Sequence, residues 1–151
     1  MANTYSQLYV HIIFSVKNRQ PLIPQNHKDE LHKYIAGIIC NNDCKLSAIN
    51  SMADHIHILI VLHPKISVSN LVRDIKSNST AFIKEKGWHN FFAWQEGYGA
   101  FSCSESQKQN VIHYIQTQEE HHRTRTFQEE YLEFLKAYNI PYDERYVFKP
   151  V

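Results

Sequence analysis

The chain has 151 residues, a mass of 17.8 kDa and a formal net charge of +1, from 16 Lys+Arg against 15 Asp+Glu. That length suits one compact domain and is too short for two well-cored ones, and the charge balance excludes both a uniformly basic nucleic-acid coat and an acidic solvating tail. A hydrophobic content of 43%, with only 4 Gly and 5 Pro, excludes collagen-like and low-complexity architectures.

The run LYVHIIFSV (8–16) is rich in β-branched and aromatic residues and is bounded by Lys17, Asn18 and Pro21, so it predicts a buried strand. From Asn26 the period changes: Leu31, Tyr34, Ile35, Ile38 and Ile39 share one helical face, and the helix ends near Asn41–Asn42. CKLSAIN (44–50) and HIHILIVL (55–62) then read as strands, and the short SMAD connection between them implies an antiparallel hairpin. Ser67 is the N-cap expected for a second helix, in which Val68, Leu71, Val72, Ile75, Phe82 and Ile83 keep helical spacing up to Gly87. An aromatic, glycine-punctuated segment follows, with a short strand expected over Tyr98–Cys103.

This β-α-β-β-α-β order is that of a ferredoxin-like α+β core, whose antiparallel sheet carries its helices on one face and leaves the other free. Two C-terminal helices extend it. Ser104 and Gln107 fit a capping box opening a helix over 105–122, and Thr126 and Glu129 another, with Phe127, Tyr131, Phe134, Leu135 and Tyr138 as the inward stripe of a helix over 126–138. The chain therefore reads as a single unit over 1–151 with its core over 5–104. No run approaches the roughly 20 apolar residues of a membrane span and the N-terminus lacks a signal-peptide pattern, so the expected location is the cytoplasm, with no membrane partner. Cys40, Cys44 and Cys103 are odd in number and lack a second pair at zinc-finger spacing; reduced thiols are expected.

Candidate chemistry lies in two clusters. His55 and His57 stand at i and i+2 of a strand, so both imidazoles leave one face, with Leu59 and Val61 below them, while Ile56, Ile58 and Ile60 leave the other. That geometry presents two nitrogens to one cation, although a lone His-x-His among 10 histidines also arises by chance. In the helix over 105–122, Val111, Ile112 and Ile115 gather on an apolar face, and Asn110, Tyr114, Gln118 and His121 on another. Taken alone, Tyr114 reads equally as a half-buried helical aromatic, and Gln118 and His121 as solvated residues.

Together, His55-Ile56-His57 followed by Tyr114-Ile115-Gln116-Thr117-Gln118 resembles the HUH-type single-tyrosine transposases of small bacterial insertion sequences and their REP-associated relatives. The segment Trp94-Gln95-Glu96-Gly97-Tyr98-Gly99-Ala100-Phe101 is also similar, so the resemblance covers residues 5–135. Order discriminates within the wider HUH group: relaxases usually carry the tyrosine ahead of the histidines, and rolling-circle initiators usually follow it with lysine. The resemblance implies cleavage and rejoining of single-stranded DNA through a 5′-phosphotyrosine on Tyr114. It implies a divalent ion, Mg²⁺ or Mn²⁺, held by His55, His57 and Gln118, although histidines also accept other transition metals. It further implies hairpin DNA ends, a bacterial enzyme associated with the nucleoid when acting, no small-molecule organic cofactor, and a homodimer in which the tyrosine helix could complete the partner's site. The apolar strand at 8–16 could then be buried between subunits. The base that deprotonates Tyr114 is open, with metal-bound water, His113 and His121 as candidates.

The neutral total hides an asymmetry. Between His63 and Trp88 five basic residues (Lys65, Arg73, Lys76, Lys84, Lys86) face two acidic ones (Asp74, Glu85). Arg73, Lys76, Ser77, Thr80 and Lys84 form a stripe on the second helix that suits DNA phosphates, and that also suits an ordinary solvated face. Trp88, Phe91, Phe92 and Trp94 could stack on bases or pack in a core or dimer interface. A non-catalytic nucleic-acid-binding module with the same fold, a dimerisation domain and a domesticated transposase relative are the competing readings. The first should show exposed strand aromatics, which LYVHIIFSV and HIHILIVL do not.

Overall fold

The segment YVHIIFS forms β1 (Tyr9–Ser15), and in the computed structural model, which describes residues 3–122, 125–143 and 147, this strand lies inside the sheet. It is followed by α1 (Lys28–Asn41), the hairpin of β2 (Lys45–Ser51) and β3 (His55–Val61), α2 (Val68–Glu85) and β4 (Gly99–Cys103). The four strands run in the order β2-β3-β1-β4, with every neighbouring pair antiparallel. This is the ferredoxin-like α+β arrangement that the element order predicts.

Alternation along β1 and β3 builds two layers. Ile12 and Phe14, with Ile56, Ile58 and Ile60, point to a core closed by Leu31, Ile35 and Ile39 of α1 and Leu71, Val72 and Ile75 of α2. Fully burying an aliphatic side chain contributes about 1.5–3 kcal/mol, so this layer supplies much of the stabilisation. The Ser67 hydroxyl accepts from the Asn70 amide at 3.1 Å, capping α2 where expected.

The opposite face, expected to be free, is covered. It carries Tyr9, Leu59 and Ala48 against α3 (Lys108–Gln116), through Ile115 and Val111. Beside them, Ile13 and Phe101 pack on Phe127 and Leu135 of a C-terminal helix (Phe127–Ala137). Gly99 permits that approach: a Cβ there would lie 2.9 Å from the Phe101 ring and 3.0 Å from the Tyr131 hydroxyl. The apolarity of β1 is thus spent inside one chain, between two strands and two helical layers, so it gives no reason for burial between subunits.

The helix expected over 105–122 is divided. A 3-10 turn (Glu105–Gln107) is held by the Ser104 amide donating to Gln107 Oε1 at 3.2 Å; α3 follows, Thr117 leaves helical geometry at φ −105°, ψ 27°, and α4 (Gln118–His121) restarts the chain. The break has one distant and one local cause. The Asn50 amide of β2 donates to the Ile115 carbonyl at 2.9 Å, so that acceptor is satisfied from outside the ladder, and the Thr117 hydroxyl donates to the His113 carbonyl at 2.8 Å beside the Thr117 amide, a local bond that favours an end to the helix. The C-terminal helix, α5, opens with Thr126 Oγ1 accepting from the Glu129 amide at 3.2 Å, as its capping box predicts.

The three cysteines are unpaired, and among the described residues no helix is long and apolar enough to cross a membrane. His32 of α1 shares a 2.8 Å hydrogen bond with Ser51 of β2. Burial, reinforced by the Lys28 charge, lowers its pKa to about 4. A lowered histidine pKa means that the unfolded chain binds the proton more tightly. Stability is therefore unaffected above the unfolded value and falls as pH drops from about 6.5 towards 4. His32→Gln should flatten the part of the urea-midpoint decline that belongs to this group, measured between pH 7.5 and 4.5; a decline as steep as wild type would show that His32 does not contribute.

Candidate active site

The start of β3 presents His55 and His57 on the face covered by α3 and α5, and both are fully buried. Each ring is oriented from behind. His55 Nδ1 meets Asp54 Oδ1 at 2.6 Å, and His57 Nδ1 meets Nε2 of the buried His11 of β1 at 2.9 Å. Both Nε2 atoms consequently face the same space, in the manner of imidazoles whose outer nitrogen is held by a supporting group.

Tyr114 and Gln118, from α3 and α4 of the same chain, close that space. The break at Thr117 carries Gln118 inward until it is fully buried. Its amide nitrogen donates to the Tyr114 carbonyl at 3.3 Å, which leaves Oε1 facing His55 Nε2 at 3.4 Å and His122 Nε2 at 3.0 Å. The Tyr114 ring stacks on His121, with centroids 4.4 Å apart, and stands edge-on to His57 at 5.9 Å.

Two further donors enter: His122, at the end of the tyrosine region, and Glu130, from a helix where no function was expected. Glu130 of α5, 1% exposed, places Oε1 2.9 Å from His57 Nε2, 3.3 Å from His122 Nε2 and 3.6 Å from His55 Nε2. Its other oxygen accepts the Tyr114 hydroxyl, which also accepts from Arg125 Nη2 at 3.0 Å. His55, His57, His122 and Glu130 bring their ligand atoms within 4.8 Å of one another. Imidazole nitrogens and one carboxylate, supported by an amide oxygen, are a donor set that fits a divalent ion.

The charges are strongly coupled. Burial works to raise the Glu130 pKa, but hydrogen bonds from His122 and His57 outweigh it and hold the carboxyl far below the usual range. Burial lowers His57, partly countered by Glu130. Burial also lowers His11, with His57 adding to the effect. At His122 the hydrogen bond to Glu130 overcomes burial and raises the pKa. Burial and then the Glu130 carboxylate push Tyr114 well above the ordinary phenol range, against the opposing charge of Arg125. Tyr114 at rest is therefore a neutral phenol, and its hydroxyl is directed at Glu130. His113 is exposed, and His121 meets Tyr114 through its ring face.

A solvent groove of about 560 Å³ reaches His55 between Pro21, Asp54, His122, Arg125 and Phe127. A second, of about 560 Å³, runs along α2 and is lined by all five residues of the predicted basic stripe, Arg73, Lys76, Ser77, Thr80 and Lys84. Lys76 differs from its neighbours. Its ammonium donates to the Gln95 carbonyl at 2.8 Å and to the Gly97 carbonyl, and burial lowers its pKa to about 8. Of the aromatics, Phe92 and Trp94 are core, Trp88 stacks on His27 with centroids 4.5 Å apart, and Phe91 is 87% exposed. Gln95 ties the two regions together, accepting from the Ser15 amide while Ser15 pairs with His55 across the sheet.

A ferredoxin-like sheet that sets a His-hydrophobe-His strand beside a helical tyrosine defines the single-tyrosine HUH architecture. Known proteins agree with that class. The family described as "Transposase IS200 like" matches residues 4–118, a span that includes both histidines, Tyr114 and Gln118, and the chain belongs to that family. ISDra2 transposase TnpA of Deinococcus radiodurans is 27% identical over 119 residues, 74% of this chain and 84% of that protein. Two solved structures support the fold. A D. radiodurans R1 protein assigned as a transposase superposes with a TM-score of 0.59 at 24% identity, covering 78% of this chain and 95% of that one. A REP-associated tyrosine transposase, bound to a REP hairpin, gives 0.57 at 14% identity, over 76% and 68%.

Glu130, His122, His11 and Arg125 are not singled out by the sequence patterns. A signal existed for the first: Glu130 falls inside the stripe Phe127, Tyr131, Phe134, Leu135 and Tyr138, at a position that faces inward. A carboxylate at an inward position needs partners, and here they are histidines.

Proposed function

We propose that this chain, acting as one unit over residues 1–151, is a transposase that cuts and rejoins single-stranded DNA at hairpin-bearing ends through a covalent bond to Tyr114. The observation that carries this reading is the Tyr114 hydroxyl held on Glu130, whose other oxygen lies among the Nε2 atoms of His55, His57 and His122.

In the cleavage step the Tyr114 oxygen bonds to phosphorus and the bond from phosphorus to the 3′ oxygen breaks. Glu130 accepts the hydrogen bond of the phenol and so aims its oxygen, Arg125 is placed to steady that oxygen as it gains charge, and the proton the phenol gives up is balanced by the one the departing 3′ oxygen takes up. The departing 3′ oxygen takes up a proton and leaves as a hydroxyl, while the 5′ phosphate stays on the enzyme. Rejoining reverses the exchange, with another 3′-hydroxyl displacing Tyr114. A divalent ion, Mg²⁺ or Mn²⁺ by family resemblance, would be held by His55, His57 and Gln118 and would neutralise and polarise the scissile phosphate. Asp54 and His11 keep the two imidazoles turned towards it.

Each chain supplies one nucleophilic tyrosine, Tyr114, so cutting two ends calls for two chains; a homodimer is the expected assembly. The resemblance to a REP-associated transposase solved with its hairpin supports hairpin DNA as the partner. The test is incubation with end-labelled single-stranded hairpin DNA and Mg²⁺ or Mn²⁺, followed by a denaturing gel. A slow-migrating protein–DNA band supports the reading, and its absence across hairpins from the flanking DNA contradicts it.

The groove along α2 gives a separate expectation. Arg73 and Lys84 are exposed, and removing a side chain that neutralises one phosphate should weaken binding and reduce the salt slope by about 1. Arg73→Ala with Lys84→Ala should therefore lower hairpin affinity about tenfold at low salt and flatten log Kd against log salt by about 2 units. An unchanged slope in fluorescence anisotropy would place the DNA elsewhere.

A further inference from the structure

The metal triad implied by the family leaves His122 and the Oε1 atom of Glu130 without a role. Glu130 Oε1 faces three ring nitrogens at 2.9, 3.3 and 3.6 Å, and the two longer separations are poor hydrogen bonds. Gln118 Oε1 faces two of the same nitrogens at 3.0 and 3.4 Å. With bonds of about 2.1 Å, ligand atoms around one ion stand about 3.0 Å apart in an octahedron and about 3.4 Å apart in a tetrahedron. The observed separations bracket those values. His55 is held from behind by Asp54 at Nδ1, and its Nε2 faces the oxygens of both Gln118 and Glu130.

We infer that Glu130 and His122 join His55, His57 and Gln118 as metal ligands, and that this nitrogen-rich set binds a later transition ion such as Co²⁺ or Zn²⁺ more tightly than Mg²⁺. Mg²⁺ requires oxygen ligands and keeps several waters, whereas three imidazoles favour the later ions. The ligand atoms of His55, His57, His122 and Glu130 lie within 4.8 Å of one another, against about 4.2 Å for the widest pair around an ion with 2.1 Å bonds, so an inward shift of a few tenths of an ångström at each of them brings the four into bonding range. The consequence is a link between the ion and α5. Glu130 would bind it through Oε1 while holding the nucleophile through Oε2, so metal binding and the seating of α5 become one event.

The inference rests on the metal role proposed above, and the experiment separates the two. The full chain, without DNA, is titrated with Co²⁺ and with Mg²⁺ by calorimetry and, for Co²⁺, visible absorption. Co²⁺ should bind at least about 100-fold more tightly than Mg²⁺. Glu130→Gln and His122→Ala should each weaken Co²⁺ at least about tenfold and alter its absorption band. Thermal melting without metal checks that each variant folds, and His122→Gln replaces His122→Ala where it does not. Retention of wild-type affinity and band by Glu130→Gln and the His122 variant, or equal affinities for Co²⁺ and Mg²⁺, would overturn the inference. If His55→Ala alone loses Co²⁺, the family triad stands and this extension falls; if His55→Ala also binds as wild type, the metal role itself falls.

Discussion

Tyr114→Phe should abolish the covalent protein–DNA adduct while leaving hairpin affinity within about twofold of wild type. The substitution removes one oxygen and keeps the ring, so the stacking on His121 and the edge contacts with His11, His57 and Phe134 persist. The oxygen removed is the atom that bonds to phosphorus, and no neighbouring group can replace it: Glu130 is committed to the histidines, and the His121 ring lies flat on Tyr114. Cleavage should fall at least about 10⁴-fold, equivalent to about 5.4 kcal/mol of transition-state stabilisation. Losing the hydroxyl that joins Glu130 and Arg125 should cost about 1 kcal/mol of stability, too little to unfold the chain. A denaturing gel with labelled DNA reads the first effect and fluorescence anisotropy the second. An adduct that persists in Tyr114→Phe would remove Tyr114 as the nucleophile and redirect the search to Tyr98 or Tyr131.

His55→Ala should separate chemistry from folding. The fully buried ring is oriented by Asp54 and lies against Phe127, with centroids 4.7 Å apart. Its removal opens a void and strands the carboxylate, at a cost of about 1–3 kcal/mol, or about 3–10 °C in melting temperature. The sheet survives, because its stability comes from the opposite layer, where Ile56, Ile58 and Ile60 are untouched. Cleavage should fall at least about 10³-fold and the remaining activity should no longer respond to added divalent ion, since the ion loses one of its nitrogen ligands. Circular dichroism melts and a metal titration of the cleavage rate check both halves. A variant that cuts with unaltered metal dependence would exclude His55 as a ligand.

Local patterns were the readable part of this protein. Strand alternation puts His55 and His57 together on one face and Ile56, Ile58 and Ile60 on the other, because successive side chains must point to opposite sides. Helical period put Tyr114 one turn from Gln118, and the caps at Ser67 and Thr126 marked helix starts because unpaired amides need acceptors there. The break at Thr117 was not readable, since nothing in Tyr114-Ile115-Gln116-Thr117-Gln118 shows that Asn50, from a strand 65 residues away, takes the Ile115 carbonyl. Nor was the covered second face. Amphipathic helices announce that they need a partner, not which surface it is.

The site divides along the same line. By itself the sequence determined which residues share a face and that a histidine pair precedes a tyrosine helix, because those relations depend on spacing within single elements. Only the tertiary structure decided that these side chains meet, that β1 is interior, and that Lys76 is tied to backbone carbonyls at Gln95 and Gly97. It alone brought Glu130 to His57 across 73 residues. Long-range contacts of that kind depend on how α5 seats on the sheet, a product of the whole core and of the room Gly99 leaves for Tyr131, and no local period encodes it.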